Sequence, residues 1–140
     1  MLVGRYRIPQ PRNALASAVR DHASAAMDVS DGLAGDLAKL CAASGVSAVI
    51  DAPSIPLSAA AATLLARSTV GIEMLVSGGD DYEILCAIPE HRFEAFAQAA
   101  GIAGVAVSSI GTVIAGAPVP RFLDGQGREI VLKRLSYSHF

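Results

Sequence analysis

At 140 residues the chain is long enough for one hydrophobic core and short enough to need no second. Its 52% hydrophobic and 17% charged residues exclude a disordered chain, and 11 basic against 13 acidic residues with no dense basic run argue against a nucleic-acid partner. No apolar block near Met1 suits a signal peptide and the stretch from Ser58 to Ala66 is too short to span a bilayer, so the expected setting is cytoplasmic with no membrane partner.

Gly4 to Arg12, with Pro9 and Pro11, reads as an extended entry segment, because each proline biases its predecessor away from helical angles. Residues 1–12 are therefore expected to be a linker and 13–140 the domain. Asn13 to Asp21 places Leu15, Ala18, Val19 and His22 at helical spacing, and His22 at the helix end is electrostatically at home there. Ala25 to Val29 is a short apolar strand that feeds Ser30-Asp31-Gly32. Leu33, Leu37, Leu40 and Cys41 then fall on one helical face.

This strand, turn and helix hold the first candidate site. Ser30 and Asp31 are both good N-cap residues, so one account is that the acidic knot only starts the helix and complements its dipole. One acid would suffice for that. Asp28 stands at the carboxyl end of the strand, where ligands settle in open α/β sheets. Two carboxylates three residues apart, beside helix N-terminal amides, can hold magnesium and meet its phosphates. Both accounts stand at this point.

Gly45 is placed to stop that helix, Val46 to Asp51 is a buried strand, and Asp51 opens a loop. Ser58 caps an alanine-rich, peripheral helix running to about Arg67. Ser77-Gly78-Gly79-Asp80-Asp81-Tyr82-Glu83 is the second candidate site, leading into a strand from Tyr82 to Ile88 whose alternate residues share a face. A dinucleotide fingerprint or P-loop would follow a strand and open a helix, and the P-loop lysine is absent, so both are rejected. A glycine turn with solvated acids is the plainer account. Pro89 opens a helix with Phe93, Phe96, Ala97 and Ala100 on one face and Gly101 as its stop. Val105 to Ile110 reads as a strand, and Arg121 to Leu123 with Glu129 to Leu132 as a hairpin around Asp124-Gly125-Gln126-Gly127.

Cys41 and Cys86 lack zinc-like spacing and are read as small hydrophobes. The three histidines are scattered, so no nucleophilic triad is assigned. Interleaved strands and helices closing on a hairpin favour a layered mixed-sheet α+β or α/β domain.

Asp-Val-Ser-Asp-Gly-Leu at 28–33, followed by Ser-Gly-Gly-Asp-Asp-Tyr-Glu-Ile at 77–84, resembles the carboxyl-terminal half of the thiamine-monophosphate kinases, members of the aminoimidazole-ribonucleotide (AIR) synthase superfamily. Pro9-Gln10-Pro11-Arg12, Ala-Ser-Gly-Val at 43–46 and Tyr137-Ser138-His139-Phe140 extend the likeness over nearly the whole chain. The resemblance implies an α+β domain, a three-layer α/β/α arrangement around a mixed sheet with partial ferredoxin-like topology. It implies a kinase that transfers the terminal phosphate of ATP to thiamine monophosphate with magnesium, giving thiamine diphosphate. By motif position, Asp28 would bind magnesium, Asp31 would bind another magnesium, Ser30 would contact ATP, and Asp80 and Tyr137 would contact the thiamine substrate. The family's preceding domain has no counterpart here, so the chain is expected to be incomplete for catalysis and to need an amino-terminal half, in cis or in trans. A homodimer through the face that domain leaves bare stays open. The alternatives are a non-catalytic phosphometabolite-binding module and another member of the superfamily.

Overall fold

The computed structural model describes residues 11–78 and 83–132. Pro9, Gln10, Asp80, Asp81, Tyr82 and the aromatic tail with Tyr137 lie outside them. The first helical pattern forms a 3-10 turn, Asn13–Leu15, running into α1, Ala16–His22. Then come β1 (Ala25–Val29), α2 (Leu33–Ser44) and β2 (Ser47–Asp51), followed by α3 (Ala59–Ala66), α4 (Ile72–Val76) and β3 (Glu83–Ala87). The chain closes with α5 (Glu90–Ile102), β4 (Gly111–Ile114) and β5 (Arg121–Leu123). Mixed helix and sheet in this order is the expected α+β class.

Among the described residues the strands form two sheets. β1 and β3 are antiparallel, with Asp28 opposite Ile84 and Val29 opposite Glu83. β2 is central in the other, antiparallel to β4 and parallel to β5. One face of α2 covers both sheets, because Ala34, Leu37 and Cys41 pack with Ala48 and Ile50 of β2, Phe122 of β5 and Val76 of α4, while Leu85 of β3 adjoins the same cluster. A second cluster, Leu15, Ala18, Phe96 and Ala100, joins α1 to α5. Burial of these side chains stabilises the fold by about 1.5–3 kcal/mol for each large one. Burial also pushes the Cys41 and Cys86 thiols up, as suits packing rather than reactivity.

Helix ends follow the local chemistry with two adjustments. Gly45 takes the left-handed conformation at φ 65°, and Val46 N–H returns to the Cys41 carbonyl at 3.1 Å, closing α2 as expected. Ser58 Oγ accepts from Ala61 N–H and caps α3. Pro89, however, is the N-cap of α5 rather than its first residue, and α5 runs through Gly101 to Ile102. Its left-handed residue is Gly104 at φ 69°, after which Val105 N–H bonds Ala100 O.

The expected strand from Val105 to Ile110 does not form over most of its length, where no strand is assigned. Val105 and Val107 turn instead toward the Leu15–Phe96 cluster, and pairing with β2 begins only where Asp51 N–H meets Ile110 O, continuing as β4. Composition marked this stretch for a strand, and only the edge of β2 decides where a ladder forms. The closing hairpin is present in outline: Leu123 bridges Glu129, Ile130 N–H bonds Phe122 O, and Arg121 pairs with Glu129 at 2.9 Å.

Candidate functional site

The antiparallel register of β1 and β3 brings the carboxyl end of one strand to the amino end of the other. The Ser30-Asp31-Gly32 turn leaves the first, and Ser77 and Gly78, the described start of the second motif, precede the second strand in sequence. Gly32 sits between them at φ 105° and ψ 146°, a region essentially open to glycine alone. A Cβ at this position would lie 2.6 Å from the Gly78 carbonyl oxygen and 2.9 Å from the Ser77 carbonyl carbon. The two acidic motifs thus touch at the backbone, through a residue that has to lack a side chain.

Asp28 is exposed on β1 and its side chain makes no hydrogen bond or ion pair among the described residues. It edges an open cavity of about 280 Å³ whose wall includes Arg12, Val19, Ala26 and Ile84. Arg12, the last residue of the entry motif, meets Glu83 in a two-pronged pair at 2.8 and 2.6 Å, tying the entry segment to the start of β3 across 71 positions of sequence. Nothing in the local spacing of either residue announces this contact.

The account of Ser30 and Asp31 as side-chain caps is corrected. The N-cap of α2 is Gly32, with no side-chain cap bond. The amides of Ser30 and Asp31 donate instead to Oδ2 of Asp36, at 2.8 and 3.0 Å. Lys39 Nζ donates to Oδ1 of Asp36 at 2.9 Å and to Oδ2 of Asp31 at 2.6 Å. The Ser30 side chain remains exposed and that of Asp31 half-exposed. Burial pushes the Asp36 carboxyl up, but Lys39 and the two amides more than offset this and hold it below the usual carboxylate range. The Lys39 ammonium is raised by its bonds to Asp31 and Asp36. Asp36 and Lys39 were missed in the sequence. The readable signal was an acid inside the apolar face of α2 with a lysine three residues on.

No group of three or more His, Cys, Asp or Glu side chains converges on a metal position among the described residues. Magnesium does not require one, since it is commonly held by one or two carboxylates and completes its shell with water and phosphate oxygens. Asp28 and Asp31 fit that donor set.

The sequence matches the family described as AIR synthase related protein, C-terminal domain, over residues 7–121. The chain belongs to that family. It is 42% identical to the thiamine-monophosphate kinase of Caulobacter vibrioides, over 99% of this chain and 40% of that protein, and 34% identical to that of Escherichia coli K12, over 99% and 42%. Among solved structures it is similar to AaThiL complexed with AMPPCP and TMP, with a TM-score of 0.78 at 27% identity over 99% of this chain and 41% of that one. The hydrogenase maturation protein HypE of E. coli shares the fold, with a TM-score of 0.72 at 18% identity over 89% of this chain and 39% of that one. The chain of this AIR-synthase-related domain thus spans about two-fifths of the length of the curated relatives it matches.

Proposed function

We propose that this chain is the carboxyl-terminal part of a thiamine-monophosphate kinase, and that it contributes one wall of the cleft in which the terminal phosphate of ATP passes to thiamine monophosphate. The observation that supports the reading is the close approach of Gly32 to Ser77 and Gly78, which sets the first acidic motif against the start of the second. In this reading residues 13–140 form the domain and 1–12 its entry segment, and the kinase works in the cytoplasm.

Asp28 and Asp31 hold magnesium, and the Ser30 hydroxyl, exposed between them, contacts the phosphates of ATP. Magnesium supplies charge neutralisation at the phosphate oxygens, which with positioning is most of what phosphoryl transfer requires. Asp80 contacts the thiamine substrate, and the Tyr137 ring faces its cationic thiazolium. A nucleophilic side chain is unnecessary, because the acceptor phosphate of the substrate attacks. The remaining metal and nucleotide contacts come from an amino-terminal half, so the chain alone is expected to bind ligands weakly and turn over poorly.

Calorimetry of the chain with ATP and with thiamine monophosphate, each with and without magnesium, tests this directly. Magnesium-dependent heats that vanish in D28A, and kinase activity that appears only when an amino-terminal half is added, are the expected results. Ligand binding indifferent to both magnesium and D28A would leave the acidic turn a structural feature only.

A further inference from the structure

Asp36 is the one buried charged side chain among the described residues, at 1% exposure. Burying a carboxylate costs stability unless it is fully partnered. Its backbone partners do not serve the helix it belongs to. A capping acid accepts from amides one to three residues inside the helix. Asp36, the fourth residue of α2, reaches backwards past the Gly32 N-cap to the amides of Ser30 and Asp31, which lie outside it. Its second oxygen anchors Lys39, and Lys39 in turn grips the Asp31 carboxylate. One buried acid thereby fixes both the backbone of the turn and, through a lysine, the side chain at its tip.

We propose that Asp36 is the positioning residue of the Asp28–Asp31 cation site, presetting the Ser30-Asp31 backbone through Oδ2 and the Asp31 carboxylate through Lys39. The proposal rests on the reading of Asp28 and Asp31 as magnesium ligands. Asp36 itself touches no metal. Its two oxygens are taken up by the two amides and the lysine, and it lies beneath the turn while Asp28 and the Ser30 hydroxyl face outward. The consequence is that metal affinity depends on a residue that cannot be a ligand, as it does wherever outer partners orient inner ones.

The test uses the 140-residue chain with manganese as the probe, free ion being counted by electron paramagnetic resonance, and hydrogen exchange of the Ser30 and Asp31 amides followed by NMR. D36N keeps an acceptor for the two amides but presents N–H groups to Lys39, and D36A removes both contacts. Manganese binding weakened about tenfold or more in D36N, with circular dichroism unchanged, and loss of exchange protection at Ser30 and Asp31 in D36A are the expected results. Should D36A fail to fold, the D36N affinity decides. A folded D36N chain that binds manganese like the unsubstituted one, while D31A loses it, overturns the positioning role alone. No binding by the unsubstituted chain, or binding indifferent to both D28A and D31A, removes the metal reading and the proposal with it.

Discussion

Two turns in this molecule are held by an aspartate that accepts from two backbone amides and pairs with a basic side chain, yet they differ in where that aspartate comes from. In the closing hairpin, Asp124 takes the Gln126 and Arg128 amides on Oδ1, each at 2.9 Å, and the Arg128 guanidinium on Oδ2. The turn spends its own acid on itself. In the β1–α2 turn the clamp is supplied by Asp36, from a full turn inside the next helix, while Asp28 at the end of β1 stays exposed and Asp31, held by Lys39, is half-exposed. A borrowed clamp leaves Asp28 available for a ligand. This separates an acidic turn that is only a turn from one that can work, a distinction that counting acids does not make.

The contrast is broken most severely at Gly32. A side chain there must adopt φ 105° and would collide with the Gly78 carbonyl, a backbone atom that cannot swing aside. Gly32→Ala is expected to cost about 2–4 kcal/mol, combining backbone strain with displacement of the Ser77–Gly78 segment. Urea denaturation measures it. The hairpin glycine Gly127, at φ 75° with open space around the missing Cβ, carries the strain without the collision. G127A should therefore lose less.

Removing the borrowed clamp comes next. Asp36→Ala strands two amides and unseats Lys39, and a loss of about 2–3 kcal/mol is expected from hydrogen bonds to a buried charged acceptor. The same residue shapes the acid limb of stability. Its folded-state carboxyl is held below the ordinary value, so its contribution is fully present above the unfolded pKa, about 3.9, and is lost as pH falls through the lower folded one. D36N should flatten the fall in urea midpoint below about pH 4, relative to the unsubstituted chain. An unchanged pH profile would mean that other lowered carboxyls, Asp21 beside Arg20 and Asp124 beside Arg128, carry the acid response.

Much of this arrangement was legible from the residues. The strand, turn and helix from Ala25 to Ser44 have local signatures: an apolar run, a glycine, and leucines at helical spacing that bury against β2. The Ser58 cap and the Gly45 stop are equally local. What escaped depended on partners distant in sequence or on competition between equally good local choices. Arg12 and Glu83 become a pair only once β3 lies beside β1, and the expected strand at Val105–Ile110 finds no partner among the described residues over most of its length. Ser30 and Asp31 have every property of N-caps, but Gly32 takes that place. With the N-cap at Gly32, the amides of Ser30 and Asp31 fall to an acid that the sequence shows only as an interruption of an apolar face.

The smallest effect should fall on the turn that clamps itself. Asp124 is partly exposed and its ion pair with Arg128 ends in a guanidinium at 75% exposure, where water screens the charge and replaces lost hydrogen bonds readily. The two backbone bonds across the turn, Asp124 N–H to Arg128 O and Gly127 N–H to Asp124 O, do not need the carboxylate. D124A should therefore shift the urea midpoint less than D36A does and leave manganese binding untouched. If D124A instead proved as costly as D36A, burial rather than the source of the clamp would no longer explain why Asp36 matters to stability. If it weakened manganese binding, the cation site would extend to the hairpin, and the separation of a working turn from a merely structural one would fail.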